Sequence, residues 1–266
     1  MFDNMQSRTL HDGRSVPTIG LGTWQIPNDS VAHVVSTAIE IGYRLIDTAA
    51  IYDNEVGVGR GIRDSGVPRE ELFVTTKLWN DSHPHGLSRP AFEASLEKLG
   101  LDYIDLYMIH WPVPKANEFV QAWEAFIQLR DEGLVKSIGV SNFNRPHLQQ
   151  LLDETGVLPV VNQIEVHPQF QQTELRQFHI DNDIATQAWS PLAQGALRNE
   201  PVITGIATKH ERSPAQVILR WHIEMGHLII PKSTHPERLK QNFDIFDFSL
   251  TEEDRAAINA DRKSVV

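Results

Sequence analysis

Asp47, Tyr52, Lys77 and His110 stand at or just beyond the ends of short apolar runs, and together they offer an acid, a phenol, an ammonium and an imidazole. Reduction of a carbonyl group needs a hydride on one side and a proton on the other. A phenol is a poor acid near neutrality, with an ordinary pKa of about 10. A nearby ammonium favours the phenolate and lowers that value, so Lys77 is expected to bring the Tyr52 pKa down. An aspartate beside the lysine keeps it charged, and an imidazole can hydrogen-bond a carbonyl oxygen and orient it. Taken singly, each residue has an ordinary structural explanation. Asp47-Thr48 can cap a turn, Lys77 can be solvated, and His110 ahead of Trp111-Pro112 can close a loop. Arriving on successive run ends, they read jointly as one proton-donating set.

For the four to meet, the runs must be neighbouring strands whose ends share a rim. Eight short apolar or β-branched runs occur, at residues 19–24, 44–49, 72–79, 104–111, 137–142, 160–167, 184–190 and 228–233. Segments with helical spacing of apolar residues lie between or after them, at 30–41, 90–99, 119–130, 146–152, 173–181, 201–210, 214–225 and 236–243. Several begin with Pro after Ser, Arg or His, and Gly42, Gly100 and Gly156 sit where helices should stop. Strand–helix alternation implies a parallel sheet. Eight such units in 266 residues favour an α/β fold closed into a (β/α)8 TIM barrel over an open doubly wound sheet. Short strand-like runs around His11-Asp12-Gly13-Arg14 read as an N-terminal β-hairpin. Residues 251–261, opening on Thr251 with Asp254 three positions on, read as an extra C-terminal helix with a capping box. No linker or charge block divides the chain, so one domain over residues 1–266 is expected.

In such a barrel the chemistry sits at the carboxyl ends of the strands. The run ends deliver Asp47-Thr48, Thr75-Thr76-Lys77, His110-Trp111, Ser141-Asn142, Asn162-Gln163 with Glu165 and His167, Trp189-Ser190 and Lys232-Ser233. Polar side chains are costly to bury unpaired, so their concentration on one rim calls for a use.

The net charge of −11 argues against a nucleic-acid binder, which needs a basic stripe, and against an anionic membrane surface. With no cysteine there can be no disulfide, thiolate metal site or cysteine nucleophile. No apolar run approaches the roughly 18 residues of a spanning helix. The polar start lacks the order of a signal peptide, so the cytoplasm is the default compartment. Nothing marks oligomerisation, and a monomer acting on a small-molecule carbonyl is expected.

The chain resembles the aldo-keto reductases. The resemblance rests on Gly20-Leu21-Gly22-Thr23-Trp24, Gly42-Tyr43-Arg44-Leu45-Ile46-Asp47-Thr48-Ala49, Tyr52-Asp53-Asn54-Glu55 and Thr76-Lys77-Leu78-Trp79. It continues through Asp105-Leu106-Tyr107-Met108-Ile109-His110-Trp111-Pro112, Ile138-Gly139-Val140-Ser141-Asn142-Phe143, Asn162-Gln163-Ile164-Glu165-Val166-His167-Pro168 and Ile230-Pro231-Lys232-Ser233. Residues 77–81 and 214–222 resemble the bacterial group that includes 2,5-diketo-D-gluconate reductases and small-aldehyde reductases. The resemblance implies NADPH-dependent reduction of aldehydes and ketones (dicarbonyls, keto-sugars, small or aromatic aldehydes) without a metal. Tyr52 would be the acid, Lys77 and Asp47 its tuning pair, and His110 the orienting residue. NADPH would lie extended across the barrel mouth. Thr23 and Trp24 would lie near it, Ser141, Asn142 and Gln163 at its carboxamide, and Trp189 against its ring. Ser190, Leu192, Gln194 and Gly195 would follow the pyrophosphate. Lys232, Ser233 and Arg238 would hold the 2′-phosphate, and Asn242 would reach the adenine. Trp24, Trp79, His110 and Trp111 would line the substrate pocket.

The sequence departs from the family pattern at His235, where close relatives often carry Arg; a mostly neutral imidazole is a weaker phosphate partner. The loops after His110 and Gly195 are short, and the chain stops at Val266, which suggests an open, permissive pocket. Gly57-Val58-Gly59-Arg60-Gly61 lacks dinucleotide-binding spacing and reads as helix packing. His83 and His85 read as a solvated loop, Glu165 as a structural partner inside the barrel, and Asp53 and Glu55 as caps of the following helix. Two other functions fit the fold: an NADPH-binding redox-sensing subunit with slow turnover, and a metal-dependent barrel hydrolase built on Glu165 and His167.

Overall fold

Residues 6–260 are described by the computed structural model, and in it the apolar runs become strands that pair side by side. β1 (Ser7–Thr9) and β2 (Ser15–Pro17) form the antiparallel hairpin. The barrel strands are β3 (Gly20–Gly22), β4 (Leu45–Asp47), β5 (Phe73–Leu78), β6 (Ile104–Ile109), β7 (Val135–Ser141), β8 (Val161–Glu165), β9 (Ala185–Trp189) and β10 (Leu228–Ile229). They are parallel and run in sequence order from β3 to β10. A parallel bridge between Ile19 and Ile229 closes the ring, supported by Ile229 N donating to Thr18 O at 2.8 Å.

Side chains alternate along each strand with period two, and the alternation separates two cores. Leu45, Phe73, Leu106, Met108, Val161, Ala185, Leu228 and Ile230 pack inside the barrel. Leu10 and Val16 of the hairpin join them, so the hairpin plugs the amino-terminal end. The alternate residues Ile46, Val74, Tyr107, Ile138, Ile164 and Ala188 face outward into the layer shared with the helices. On the inward parity, the positions toward the carboxyl ends of the strands are Asp47, Lys77, Ser141, Gln163 with Glu165, and Gln187 with Trp189. The apolar filling thus gives way to polar groups toward the carboxyl rim, while at the other end Ser137 Oγ donates to Asp12 Oδ2 of the hairpin turn at 2.6 Å.

The helices are α1 (Asn28–Ile41), α2 (Glu55–Asp64), α3 (Ser88–Leu99), α4 (Phe119–Asp131), α5 (Arg145–Thr155), α6 (Thr173–Asp181), α7 (Pro201–Lys209), α8 (Pro214–Glu224), α9 (Pro236–Phe243) and α10 (Glu252–Ala260). The glycine-rich stretch lies in α2, as expected, and brings that helix against its neighbours. A Cβ at Gly57 would fall 2.4 Å from Asn28 O, at Gly59 2.0 Å from Leu99 O, and at Gly61 2.5 Å from Ala32 O. Before α10, Thr251 N donates to Asp254 Oδ2 at 3.0 Å, and Asp254 N to Thr251 Oγ1 at 3.2 Å, which is the anticipated capping box. The expected end of that helix, Asp261, lies outside the described residues. No helix among the described residues is long and apolar enough to cross a membrane.

Candidate active site

Three adjacent strands and the turn after the first of them bring Asp47, Tyr52, Lys77 and His110 together. β4 ends in Asp47, β5 carries Lys77 next to its end, and His110 follows β6. Lys77 is fully buried, and its Nζ donates to Asp47 Oδ1 at 2.5 Å and to Thr48 O at 2.9 Å. The other carboxylate oxygen of Asp47 accepts from Gln163 Nε2 at 2.8 Å. Lys77 Nζ also lies 5.4 Å from the centroid of the Tyr52 ring. His110 meets that ring edge-on at 5.6 Å, and Trp79 packs on His110 at 5.2 Å.

Burial works against the charge on Lys77, but Asp47 and Tyr52 together hold its pKa above the ordinary value, so the ammonium persists. Burial pushes the Asp47 carboxyl up, with Lys77 and Gln163 opposing it. For Tyr52 the outcome differs from the expectation. Lys77 does favour the phenolate, but burial and the Asp47 charge outweigh it, and the phenol lies above its ordinary value. It is therefore held protonated near neutrality. His110 is pushed down to about 3, first by burial and then by Lys77, so its ring is neutral.

Tyr52 stands on a single 3-10 turn, Ala50–Tyr52, and two neighbours omitted from the sequence-derived set hold that turn. Asn54 is fully buried; it accepts from Thr48 Oγ1 at 2.8 Å and donates to Thr23 O at 2.9 Å and Ile26 O at 3.0 Å. Glu55 does not cap α2. It is buried and accepts from Thr76 Oγ1 at 2.6 Å, tying the segment to β5 one residue before Lys77. Asp53 takes a left-handed conformation between Tyr52 and Asn54, and Asn54 occupies the N-cap position of α2 without a side-chain cap bond. The local signal for both was their place directly after Tyr52 in a run of polar residues.

The rest of the rim is cross-linked. Thr23 Oγ1 donates to Asp47 O at 3.0 Å. Trp189 Nε1 donates to Asn142 Oδ1 at 2.9 Å, while Asn142 Nδ2 donates to His110 O and to Ser141 Oγ, each at 3.0 Å. Ser141 Oγ donates to Gln163 O at 2.8 Å. The indole of Trp189 is thereby held as a half-buried plane tied through Asn142 to the backbone of His110. Trp24 and Trp111 are exposed aromatic surface, with Trp79 between exposed and buried.

From Ser190 the chain turns outward, with left-handed residues at Ser190, Ala193, Gln194 and Gly195 and Leu192 half-buried between them. Gly195 has φ +88, and a Cβ there would meet only open space. Ala193 N donates to Ser190 O and Gly195 N to Leu192 O, each at 2.8 Å, closing two tight turns in succession. Beyond β10, Lys232, His235 and Arg238 are exposed, while Ser233 and Asn242 are buried, and His235 N donates to Ser233 Oγ at 3.1 Å. Lys232 and Arg238 make no ion pair among the described residues, so this edge offers two free cations to a phosphate ester.

Two other expectations are corrected. His83 is not solvated: it is 1% exposed, burial pushes it down to about 4, and its neighbour His85 alone is exposed. Glu165 is not enclosed in the barrel. It sits at the rim, 36% exposed in its side chain, with an oxygen 3.5 Å from His167 Nε2. Among the described residues no three acidic or histidine side chains converge as metal ligands.

The family described as the aldo/keto reductase family matches residues 18–262. The chain is 51% identical over 251 residues to the methylglyoxal reductase DkgA of Escherichia coli (strain K12), covering 94% of this chain and 90% of that protein. It is similar to the crystal structure of an aldo/keto reductase from Brucella melitensis, with a TM-score of 0.93, 55% identity, and coverage of 96% and 98% of the two chains. It is similar also to a Gox0644 variant in complex with NADPH, with a TM-score of 0.95, 46% identity, and coverage of 98% and 95%.

Proposed function

The chain belongs to the aldo/keto reductase family, and from that premise we propose that it reduces aldehydes and ketones to alcohols with NADPH, Tyr52 giving the proton. The observation that carries this reading is the fully buried Lys77, paired with Asp47 and facing the Tyr52 ring. A buried ammonium is retained only where its charge is matched, and here one side is matched by Asp47 while the other meets a phenol.

The residues present fit NADPH. Lys232 and Arg238, with Ser233 between them in sequence, would hold the 2′-phosphate. The backbone of residues 190–195 would receive the pyrophosphate, Asn242 would reach the adenine, and Thr23 and Trp24 would border the cofactor. Trp189 would offer its plane to the nicotinamide, and Ser141, Asn142 and Gln163 would meet the carboxamide. Bound there, NADPH supplies the hydride. Tyr52 transfers its phenolic proton to the carbonyl oxygen, which becomes the alcohol hydroxyl. Lys77 balances the phenolate left behind, and Asp47 keeps Lys77 charged. His110, neutral throughout the working pH range, orients the carbonyl oxygen without competing as an acid. Trp24, Trp79 and Trp111 supply apolar walls. The short loops around them suit small, varied substrates: dicarbonyls of the methylglyoxal type, keto-sugars such as 2,5-diketo-D-gluconate, and small or aromatic aldehydes.

Oxidation of NADPH followed with these carbonyl classes tests the reading, with NADH in parallel. Tyr52→Phe should abolish turnover and leave NADPH binding largely intact. Equal turnover in that variant would end the proposed mechanism.

A further inference from the structure

Gln187 lies in the middle of β9, fully buried and on the inward parity of the strand. Its Oε1 accepts from Gln163 Nε2 at 2.7 Å, and its own Nε2 is buried without a partner among the described residues. A hydrophobic side chain of similar size would fill the same space without stranding a donor. The orientation of both amides follows from Asp47. A carboxylate only accepts, so Gln163 must turn its NH2 group toward Asp47 Oδ2. The second N–H of that group then points at Gln187, which must answer with its oxygen and leave its nitrogen idle.

We propose that Gln187 is a positioning residue for the proton-donating set. It locks the Gln163 amide, and through Gln163 it holds the Asp47 carboxylate in the orientation that serves Lys77 and Tyr52. The chain of contacts runs Gln187, Gln163, Asp47, Lys77, Tyr52, and it crosses the barrel from β9 through β8 to β4 and β5. A second consequence concerns the ligand. Both hydrogens of the Gln163 amide are spent inside the protein, so toward the barrel mouth Gln163 can only accept, through Oε1. It is thereby matched to the NH2 end of a carboxamide and mismatched to the oxygen end.

Gln187→Leu removes the lock and keeps the volume. Gln163 is then free to rotate, Asp47 loses part of its hydrogen bonding, and the Lys77 proton is drawn toward the carboxylate. The Tyr52 phenolate is less well supported. Alcohol oxidation with NADP, which needs the phenolate as base, should lose activity on its acid side, and the acid limb of its pH profile should move to higher pH. At a fixed pH on that limb the loss should be about two- to tenfold, the scale of one hydrogen bond. Affinity for NADPH, read by fluorescence titration, should weaken by a similar factor because Gln163 no longer presents a fixed acceptor.

The test is a double-mutant cycle of Gln187→Leu and Gln163→Leu, with thermal melts on every variant and Gln187→Met as a second filling. If Gln187 acts through Gln163, its substitution shifts the pH profile and the NADPH affinity in the parent but adds nothing in the Gln163→Leu background. A merely structural role would lower the melting temperature in both backgrounds and leave the acid limb in place, and that result would overturn the proposal. The inference rests on the carbonyl-reductase reading, and the two fail differently. A parent protein inactive on every carbonyl class sinks that reading; an active parent whose profile and affinity ignore both Gln187 substitutions sinks this one.

Discussion

Lys77→Met deletes one charge from a site with no access to water and keeps most of the stem's length and volume. In the parent, Lys77 Nζ is bonded to Asp47 Oδ1 at 2.5 Å and Thr48 O at 2.9 Å, with side-chain exposures of 0% for Lys77 and 2% for Asp47. The variant strands the Asp47 carboxylate with Gln163 as its remaining side-chain donor. Removing one partner of a buried pair costs about 3–5 kcal/mol. In a protein of this size each kcal/mol lowers the melting temperature by about 2–4 °C, so a drop of about 6–20 °C is expected. Adding Asp47→Asn removes the stranded charge and should restore most of that loss. Activity should behave otherwise. Over the 5.4 Å between Nζ and the Tyr52 ring centroid, an effective dielectric of about 20 gives the phenolate about 3 kcal/mol of stabilisation. That is worth about 10²-fold in rate if expressed in the transition state. Single and double variants should both lose at least about that much in kcat, read by NADPH oxidation, while scanning calorimetry shows the double variant recovering. Two results refute the reasoning: a single variant that melts no lower than the double, or a double variant that turns over like the parent.

Acid should unfold the protein well before its carboxylates titrate. Burial holds His110 and His222 down at about 3 and His83 and His179 at about 4, against about 6.5 in an unfolded chain. With folded values depressed, the unfolded state takes up protons first. The stabilisation is present above about pH 6.5 and is lost as pH falls toward 4, at about 1.4 kcal/mol per pH unit for each histidine. Urea midpoints measured from pH 7 to 4.5 should fall steeply, and a flat profile contradicts the neutral buried rings. Gly59→Ala should destabilise by about 1–3 kcal/mol or more, because the new Cβ would sit 2.0 Å from the Leu99 backbone oxygen. Gly205→Ala, within α7 and with nothing within 4 Å, should instead stabilise by about 0.5–1 kcal/mol; melts of equal sign would contradict the packing. At the proposed phosphate site, Arg238→Ala should weaken NADPH binding several-fold and His235→Arg should tighten it, each by about 1 kcal/mol, with NADH unaffected. Parallel changes for both cofactors would place the 2′-phosphate elsewhere.

Element type and order were legible in the residues because the periods that define them are local. Apolar runs of strand length and helical spacing carry their own signatures, and eight alternations leave few closed arrangements. The chemistry-bearing quartet was legible for a related reason: each member stands at or just beyond the end of a run that must be a strand, so each must arrive at the same rim. The Lys77–Asp47 pair was legible with it, but the other partners of buried groups were not. Asp47 and Gln163 are 116 positions apart, yet they share a hydrogen bond, and nothing along the chain announces Gln187 as the third member. Glu55 read as a cap and proved a buried acceptor for Thr76; His83 read as solvated and is enclosed. The direction of the Tyr52 shift reversed once burial was known, because the effect of Lys77 is one contribution among several. Residue type sets a reference acidity and a donor–acceptor inventory. Desolvation and local potential are sums over neighbours that only the closed barrel assembles.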